Sequence, residues 1–120
     1  MKYLLLIYMN PAIWESLSES ERNEVFGGHN DFQKTITESG EMISTHALAD
    51  PSQSTTVRVR GGVTATTEGP YLDATEFLGG YYLVDCRSKE RAIELAALLP
   101  DARLGAMEVR PVMFSAGMDM

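Results

Sequence analysis

Residues 3–8 read YLLLIY and residues 80–86 read GYYLVDC, and these two apolar runs decide the fold. Side chains alternate between the two faces of a sheet, so a run that is apolar at every position predicts a strand covered on both sides. The first run is also too short to cross a membrane as a helix, and no small-residue cleavage site follows it. We therefore predict two central strands of one sheet, in a cytoplasmic protein without a membrane segment.

Two helices are predicted in the segments that follow these strands. Ser18 with Glu21 forms a capping-box pattern, which begins a helix that continues to about Ser39. Ser88 begins a second helix, which ends before Pro100 because proline cannot continue a helix. Each helix therefore follows one of the two apolar strands.

The remaining strands complete the predicted fold. Residues 41–49 and 107–113 alternate in polarity, and residues 57–60 return as residues 63–67 through a Gly61-Gly62 hairpin turn. The order indicates an α+β fold, a ferredoxin-like βαββαβ arrangement with an inserted β-hairpin. We predict one domain over residues 1–113 and a loose C-terminal tail over residues 114–120.

The two helices have too little surface for a sheet that is apolar on both faces. They cover one face, and the other would remain as a large exposed apolar patch. A second copy packed across a two-fold axis would cover it, so we predict a homodimer. The alternative is that the hairpin and the tail fold over this face.

Composition limits the classes of function. The chain has 17 acidic and 10 basic residues and a net charge of −7, which disfavours nucleic-acid binding. Cys86 is the single cysteine, so no internal disulfide is possible. Neither a phosphate-binding glycine loop nor a nucleotide-binding fingerprint occurs, and we predict no cofactor.

Several longer stretches resemble the DGPF-type branch of the YCII-related family. Residues 2–8 read KYLLLIY, residues 66–71 read TTEGPY, residues 77–85 read FLGGYYLVD and residues 105–113 read GAMEVRPVM. The resemblance implies a dimeric α/β barrel and implies little about function. Glu68 replaces the aspartate of the Asp-Gly-Pro-Phe motif.

Other positions also depart from the motif. Tyr71 replaces its phenylalanine, and Asp73 and Thr75 stand where a glutamate and a lysine are common in the branch. The resemblance also concerns His29, since a histidine is frequent at this place in the family. In some members that histidine is thought to pair with an aspartate in a pocket.

His29 is the leading candidate for catalysis. It lies on the apolar stripe of the first helix with Val25, Phe32 and Ile36, so it points toward the sheet, and imidazole exchanges protons near neutral pH. The alternative is a core histidine hydrogen-bonded to the backbone or to a tyrosine. Next to it, Gly27-Gly28 either weakens the helix or marks the close approach of another backbone.

Glu68 and Asp73 are the candidate catalytic carboxylates, in a long connection where Gly69-Pro70 makes a rigid turn. The alternative is that both acids are solvated. Tyr71, His46 and Arg58 are candidate ligand-binding residues. No metal-ligand spacing occurs, so we predict no metal site.

These residues support two hypotheses of function. The first is a small-molecule enzyme with proton-transfer or lyase-like chemistry, in which His29 is the acid/base in a pocket between the first helix and the sheet. The second is a non-catalytic dimeric module that binds a metabolite or has a regulatory role.

Overall fold

The structure is a computed structural model in which residues 1–117 are described, and they form a mixed α+β fold. Its strands are β1 (Lys2–Met9), β2 (Met42–Ala47), β3 (Thr55–Arg60), β4 (Val63–Glu68), β5 (Phe77–Asp85) and β6 (Ala106–Pro111). Its helices are α1 (Pro11–Ser16), α2 (Glu19–Glu38), α3 (Lys89–Leu98) and α4 (Asp101–Leu104), with a 3₁₀ turn at Pro51–Gln53.

Four strands form one antiparallel sheet in the order β2-β5-β1-β6. The two apolar strands are central, as predicted, and Leu4 of β1 pairs with Leu83 of β5 on one side and Arg110 of β6 on the other. The β3 and β4 strands form a separate two-stranded hairpin. The sheet is therefore built from strands that are distant in sequence.

The predicted helix starts and the hairpin turn are confirmed. The Ser18 hydroxyl accepts from the Glu21 N–H, and the Glu21 carboxylate accepts from the Ser18 N–H, which is the complete capping box. The Ser88 hydroxyl caps α3 by accepting from the Arg91 N–H. Gly61 and Gly62 both have positive φ, 57° and 77°, as a two-residue hairpin turn requires.

Two short helices were not predicted. The α1 helix begins immediately after β1 because the Asn10 side chain accepts from the Ala12 N–H and Pro11 fits the first helical position. Leu99 has an extended backbone conformation, which redirects the chain after α3 so that α4 begins at Asp101. Both helices lie beside the candidate site.

The hydrophobic core lies between α2, α3 and one face of the sheet. Leu5, Tyr82 and Val84 of the central strands are almost fully buried there against Ile36 of α2 and Leu95 of α3. This packing orients α2 so that its apolar stripe faces the sheet, and His29 belongs to that stripe.

The opposite face of the sheet, here called the open face, is less covered. Its residues Leu4, Tyr81 and Leu83 are half-buried and border a shallow depression that is also lined by Val112, Phe114, Ser115 and Ala116. Of the predicted tail, Phe114 is largely exposed and residues 118–120 lie outside the described residues. The homodimer stays a prediction.

The β3–β4 hairpin, here called the arm, is exposed along almost its whole length. Val57, Val59 and Val63 are each more than half exposed. In the part of the chain that is described, no helix is long and apolar enough to cross a membrane.

Candidate functional site

His29 lies half-buried on α2, with both ring nitrogens in contact with polar side chains. Its Nε2 atom is 2.5 Å from Oδ1 of Asp101, and its Nδ1 atom is 2.8 Å from the hydroxyl of Tyr82. Asp101 is itself buried, with 8% of its surface exposed. A buried carboxylate requires such a partner, because removing a charge from water is costly.

The His29–Asp101 contact depends on the close approach of α2 and the start of α4. A Cβ atom placed on Gly28 would lie 3.1 Å from Cγ of Pro100, whereas one on Gly27 would meet nothing within 4 Å. Gly28 immediately precedes His29 in the chain, and Pro100 immediately precedes Asp101. The absence of a side chain at Gly28 therefore lets Asp101 reach the imidazole.

Tyr82 holds the other side of the imidazole from the centre of the sheet. Its ring packs edge-on against Phe32 with 4.9 Å between ring centroids, and its hydroxyl also accepts a 3.1 Å hydrogen bond from Nε2 of Gln33. Burial raises the pKa of the Tyr82 hydroxyl, and the Gln33 contact opposes this shift only in part. The phenol therefore keeps its proton at neutral pH.

A cleft of about 370 Å³ borders this hydrogen-bonded group, here called the site cluster: Gln33, Tyr82, His29 and Asp101. This volume is at the small end of the range for ligand sites. The other lining residues are mainly apolar or uncharged: Ile7, Met9, Trp14, Val25, Phe26, Asn30, Thr45, His46, Ala47, Gly79 and Gly80. The cleft therefore combines a mainly apolar wall with the titratable side chains of the site cluster and of His46.

The α1 helix supplies an aromatic wall of the cleft. Trp14 packs edge-on against Phe26 of α2 with 5.6 Å between centroids. The Arg22 guanidinium lies 5.3 Å from the centroid of the Trp14 ring and donates from Nε and Nη2 to the Trp14 carbonyl, at 3.2 and 3.0 Å. These contacts fix α1 against α2 and hold Trp14 in place.

Of the other predicted site residues, only His46 borders the same cleft as His29. It lies near the end of β2, is exposed, and has its ring 5.3 Å from that of Tyr81. From the sequence, His29 was predicted to be catalytic and His46 to bind a ligand. The fold brings the two residues to one cleft.

The predicted catalytic acids lie elsewhere. Glu68 is exposed at the end of the arm and Asp73 is exposed in the loop after it, and neither lines the cleft of the described chain. The structure places Asp101 against His29 instead. Tyr71 and Arg58 are also on this outer part, where the guanidinium lies 4.9 Å from the centroid of the tyrosine ring.

Neither a metal centre nor a reactive thiol is indicated by the geometry. Within residues 1–117, no three His, Cys, Asp or Glu side chains come together as metal ligands. Cys86 is buried, and burial raises the pKa of its thiol, so it stays protonated at neutral pH. The chemistry of the cleft therefore depends on the site cluster.

Comparison with known proteins identifies the family. Residues 1–115 match the YCII-related domain. The chain belongs to the YCII-related family. It is also 30% identical over 114 residues to an uncharacterised protein of Rhizobium meliloti (strain 1021), an alignment that covers 93% of this chain and 92% of that protein.

Three members of the site cluster of this YCII-related protein were missed in the sequence. Gln33 has no distinctive neighbours, and Tyr82 is one of two adjacent tyrosines in an apolar strand. Asp101 follows Pro100, where the predicted helix ends. Gly27-Gly28 beside His29 indicated either a weak helix or the close approach of another backbone. The structure instead brings the side-chain ring of Pro100 close to Gly28.

Proposed function

We propose that the cleft binds a small, largely apolar molecule and that His29, paired with Asp101, exchanges a proton with it in a proton-transfer or lyase-like reaction. The observation that carries this proposal is the 2.5 Å contact between Nε2 of His29 and Oδ1 of Asp101 at the wall of the cleft. A carboxylate in this position orients the imidazole and stabilises the imidazolium that forms when it accepts a proton.

The lining of the cleft favours an uncharged ligand. No lysine or arginine lines it in the described part of the chain, and the carboxylate of Asp101 lies in its wall. The net charge of −7 adds a long-range repulsion of anions. Trp14 and Phe26 offer aromatic surface, so we expect neutral, ring-containing compounds to bind better than their carboxylate or phosphate analogues.

A carbonyl compound with an adjacent C–H bond is the simplest substrate for such a site. His29 accepts the proton, the electron pair of the broken C–H bond forms an enolate, and the imidazolium pairs with Asp101. Return of the proton to another carbon completes an isomerisation, and its transfer to a leaving group completes an elimination. Neither route needs a metal or a redox partner.

The test is an NMR screen for hydrogen–deuterium exchange in deuterium oxide. Neutral cyclic ketones, lactones and aryl ketones are compared with carboxylate and phosphate analogues of the same ring size. We expect exchange with the neutral set, and a fall of about 100-fold or more in the His29→Ala variant, as is typical for loss of a general base. Asp101→Asn should also reduce exchange, whereas the exposed Asp31→Asn of α2 is its matched control. Exchange at the wild-type rate in His29→Ala would refute the enzymatic proposal.

A non-catalytic binding module is the second candidate, and one observation favours it. Both ring nitrogens of His29 already have partners within the protein, which is also how a structural histidine is held. Saturable binding of neutral compounds without exchange on any of them, unchanged in Asp101→Asn, would support this alternative.

We also propose that the fold is a ferredoxin-like βαββαβ unit whose dimer forms an α/β barrel, and that the chain is a member of the DGPF-type branch. The strand order β2-β5-β1-β6 and the half-buried apolar residues of the open face support the first proposal. The Glu-Gly-Pro-Tyr turn at residues 68–71 supports the second.

A further inference from the structure

Neither ring nitrogen of His29 is free to meet a ligand directly. Nε2 is occupied by Asp101 at 2.5 Å and Nδ1 by the Tyr82 hydroxyl at 2.8 Å. A proton that moves between the cleft and His29 therefore passes through a partner or displaces it. Asp101 follows Pro100 in the chain, and Tyr82 pairs with Thr45 of β2; both side chains line the cleft.

The hydrogen bonds of the site cluster have a defined direction. The Gln33 amide N–H can only donate, so the Tyr82 oxygen accepts from it, at 3.1 Å. The Tyr82 O–H can then donate to Nδ1 of His29. With the Asp101 carboxylate as the acceptor, the proton of this pair lies on Nε2. Each of these three hydrogen bonds has one donor and one acceptor when His29 is neutral with its proton on Nε2.

We propose that Tyr82 relays protons between the cleft and Nδ1 of His29, and that Gln33 is the positioning residue that fixes the direction of this relay. The proposal rests on the proton-transfer function proposed above. In the relay, a ligand proton binds the second lone pair of the Tyr82 oxygen as the phenol proton moves to Nδ1. The tyrosine stays neutral, the positive charge lies on the imidazolium beside Asp101, and the electron pair stays on the ligand.

The groups that face His29 act on it in opposite directions. Asp101 of α4 favours the imidazolium, because an anion stabilises a nearby cation. Tyr82 of β5, as a donor to Nδ1, favours the neutral ring. His46 of β2 lines the same cleft but makes no hydrogen bond to His29 among the described residues. Substitutions of Tyr82 and Asp101 should therefore shift the titration of His29 in opposite senses.

NMR titration of the nitrogen-15-labelled full chain tests this without a ligand. The chain has two histidines, so the exposed His46 is an internal reference in every sample that keeps its neighbour Tyr81. In Tyr82→Phe we expect the proton affinity of His29 to rise roughly three- to tenfold, the equivalent of one lost hydrogen bond to the neutral ring. Gln33→Leu should change it in the same direction and by less, and Asp101→Asn should lower it.

Tyr81→Phe is the matched control, because Tyr81 is the adjacent residue and faces the open side of the sheet. It should leave the His29 titration unchanged. An unchanged or lower proton affinity in Tyr82→Phe would overturn the proposal, as would ring nitrogen shifts showing the proton on Nδ1 in the wild type at high pH. If Tyr82→Phe does not fold, the Gln33→Leu variant tests the proposal instead. An unchanged or lower proton affinity of His29 in Gln33→Leu would then overturn it.

The exchange assay then separates this inference from the proposed function. If His29→Ala abolishes exchange and Tyr82→Phe leaves it at the wild-type rate, the relay is wrong and the function stands. If the titrations follow the predicted signs but no compound exchanges, the hydrogen-bond direction stands, while the proposed function and the relay both fail.

Discussion

At the scale of single residues, Glu41 shows how one carboxylate links two helices. It lies just after α2 and accepts from Nε and Nη2 of Arg91 on α3, at 3.0 and 2.9 Å, while the Ser39 hydroxyl donates to it at 2.7 Å. The Glu41 side chain is 14% exposed. The hydrogen bonds from Arg91 lower the pKa of Glu41 below its ordinary value of 4.5.

This shift predicts a pH-dependent contribution to stability. Because the folded-state pKa is the lower one, ionised Glu41 stabilises the fold fully above about pH 4.5, and the contribution is lost as the pH falls through the folded-state pKa. Glu41→Gln should lower the free energy of unfolding by about 1–3 kcal/mol at pH 7. Urea denaturation at pH 7 and at pH 3 measures the difference, which should shrink at pH 3.

Glu94→Gln is the matched control for this prediction. Glu94 also pairs with Arg91, at 3.2 Å, but its side chain is 58% exposed, and an exposed ion pair contributes less than about 1 kcal/mol. A Glu41→Gln deficit that stays constant down to pH 3 would show that charge is not its cause.

The residue scale also shows what the sequence can reveal about the site. His29 was predicted to point inward because Val25, Phe32 and Ile36 share its helical stripe, and all three are buried. Its partner could not be found in this way. Asp101 is 72 positions away, and no local periodicity relates two residues that meet only after α2 and α4 pack together.

At the scale of elements, the predictable features are those with local causes. The capping residues and the hairpin glycines act within four residues of themselves, and the structure confirms them. The α1 and α4 helices, of six and four residues, are too short for an apolar stripe to indicate them. Both short helices border the cleft, so the least predictable elements supply Trp14 and Asp101 to the site.

The packing of α2 against α4 gives a prediction at this scale. Gly27→Ala should stabilise the protein by about 0.5–1 kcal/mol, because alanine is the better helix former and its Cβ meets nothing within 4 Å. Gly28→Ala has the same helical advantage but places its Cβ 3.1 Å from Pro100. We therefore expect it to be less stable than Gly27→Ala and to alter the ring signals of His29.

Denaturation curves and histidine NMR spectra of the two variants measure this difference. The two substitutions are chemically identical and adjacent, so each is the control for the other. Equal stabilisation, with the His29 signals unchanged in both, would show that the approach of Pro100 to Gly28 does not position Asp101.

At the scale of the whole molecule, one chain leaves two surfaces without a covering layer. The arm has valines exposed by 56–67%, although a two-stranded hairpin alone is at best marginally stable. The radius of gyration is 16.3 Å, against about 14 Å for a compact chain of this length. The open face is the second surface, and the excess of apolar strand over helix was already visible in the sequence.

These surfaces lead to the prediction of assembly. Two copies that pair through their open faces would bury Leu4 and Leu83, which lie opposite each other in the β1–β5 ladder. Light scattering should then give a mass of twice the 13.2 kDa of one chain.

Leu83→Lys should dissociate the pair, because a lysine in the centre of the interface would bury an unpaired charge. Leu98→Lys, at a position 58% exposed on α3, is the matched control and should stay dimeric. A wild-type mass of 13.2 kDa at high concentration would mean that the open face needs no partner, and the barrel proposal would fail with it.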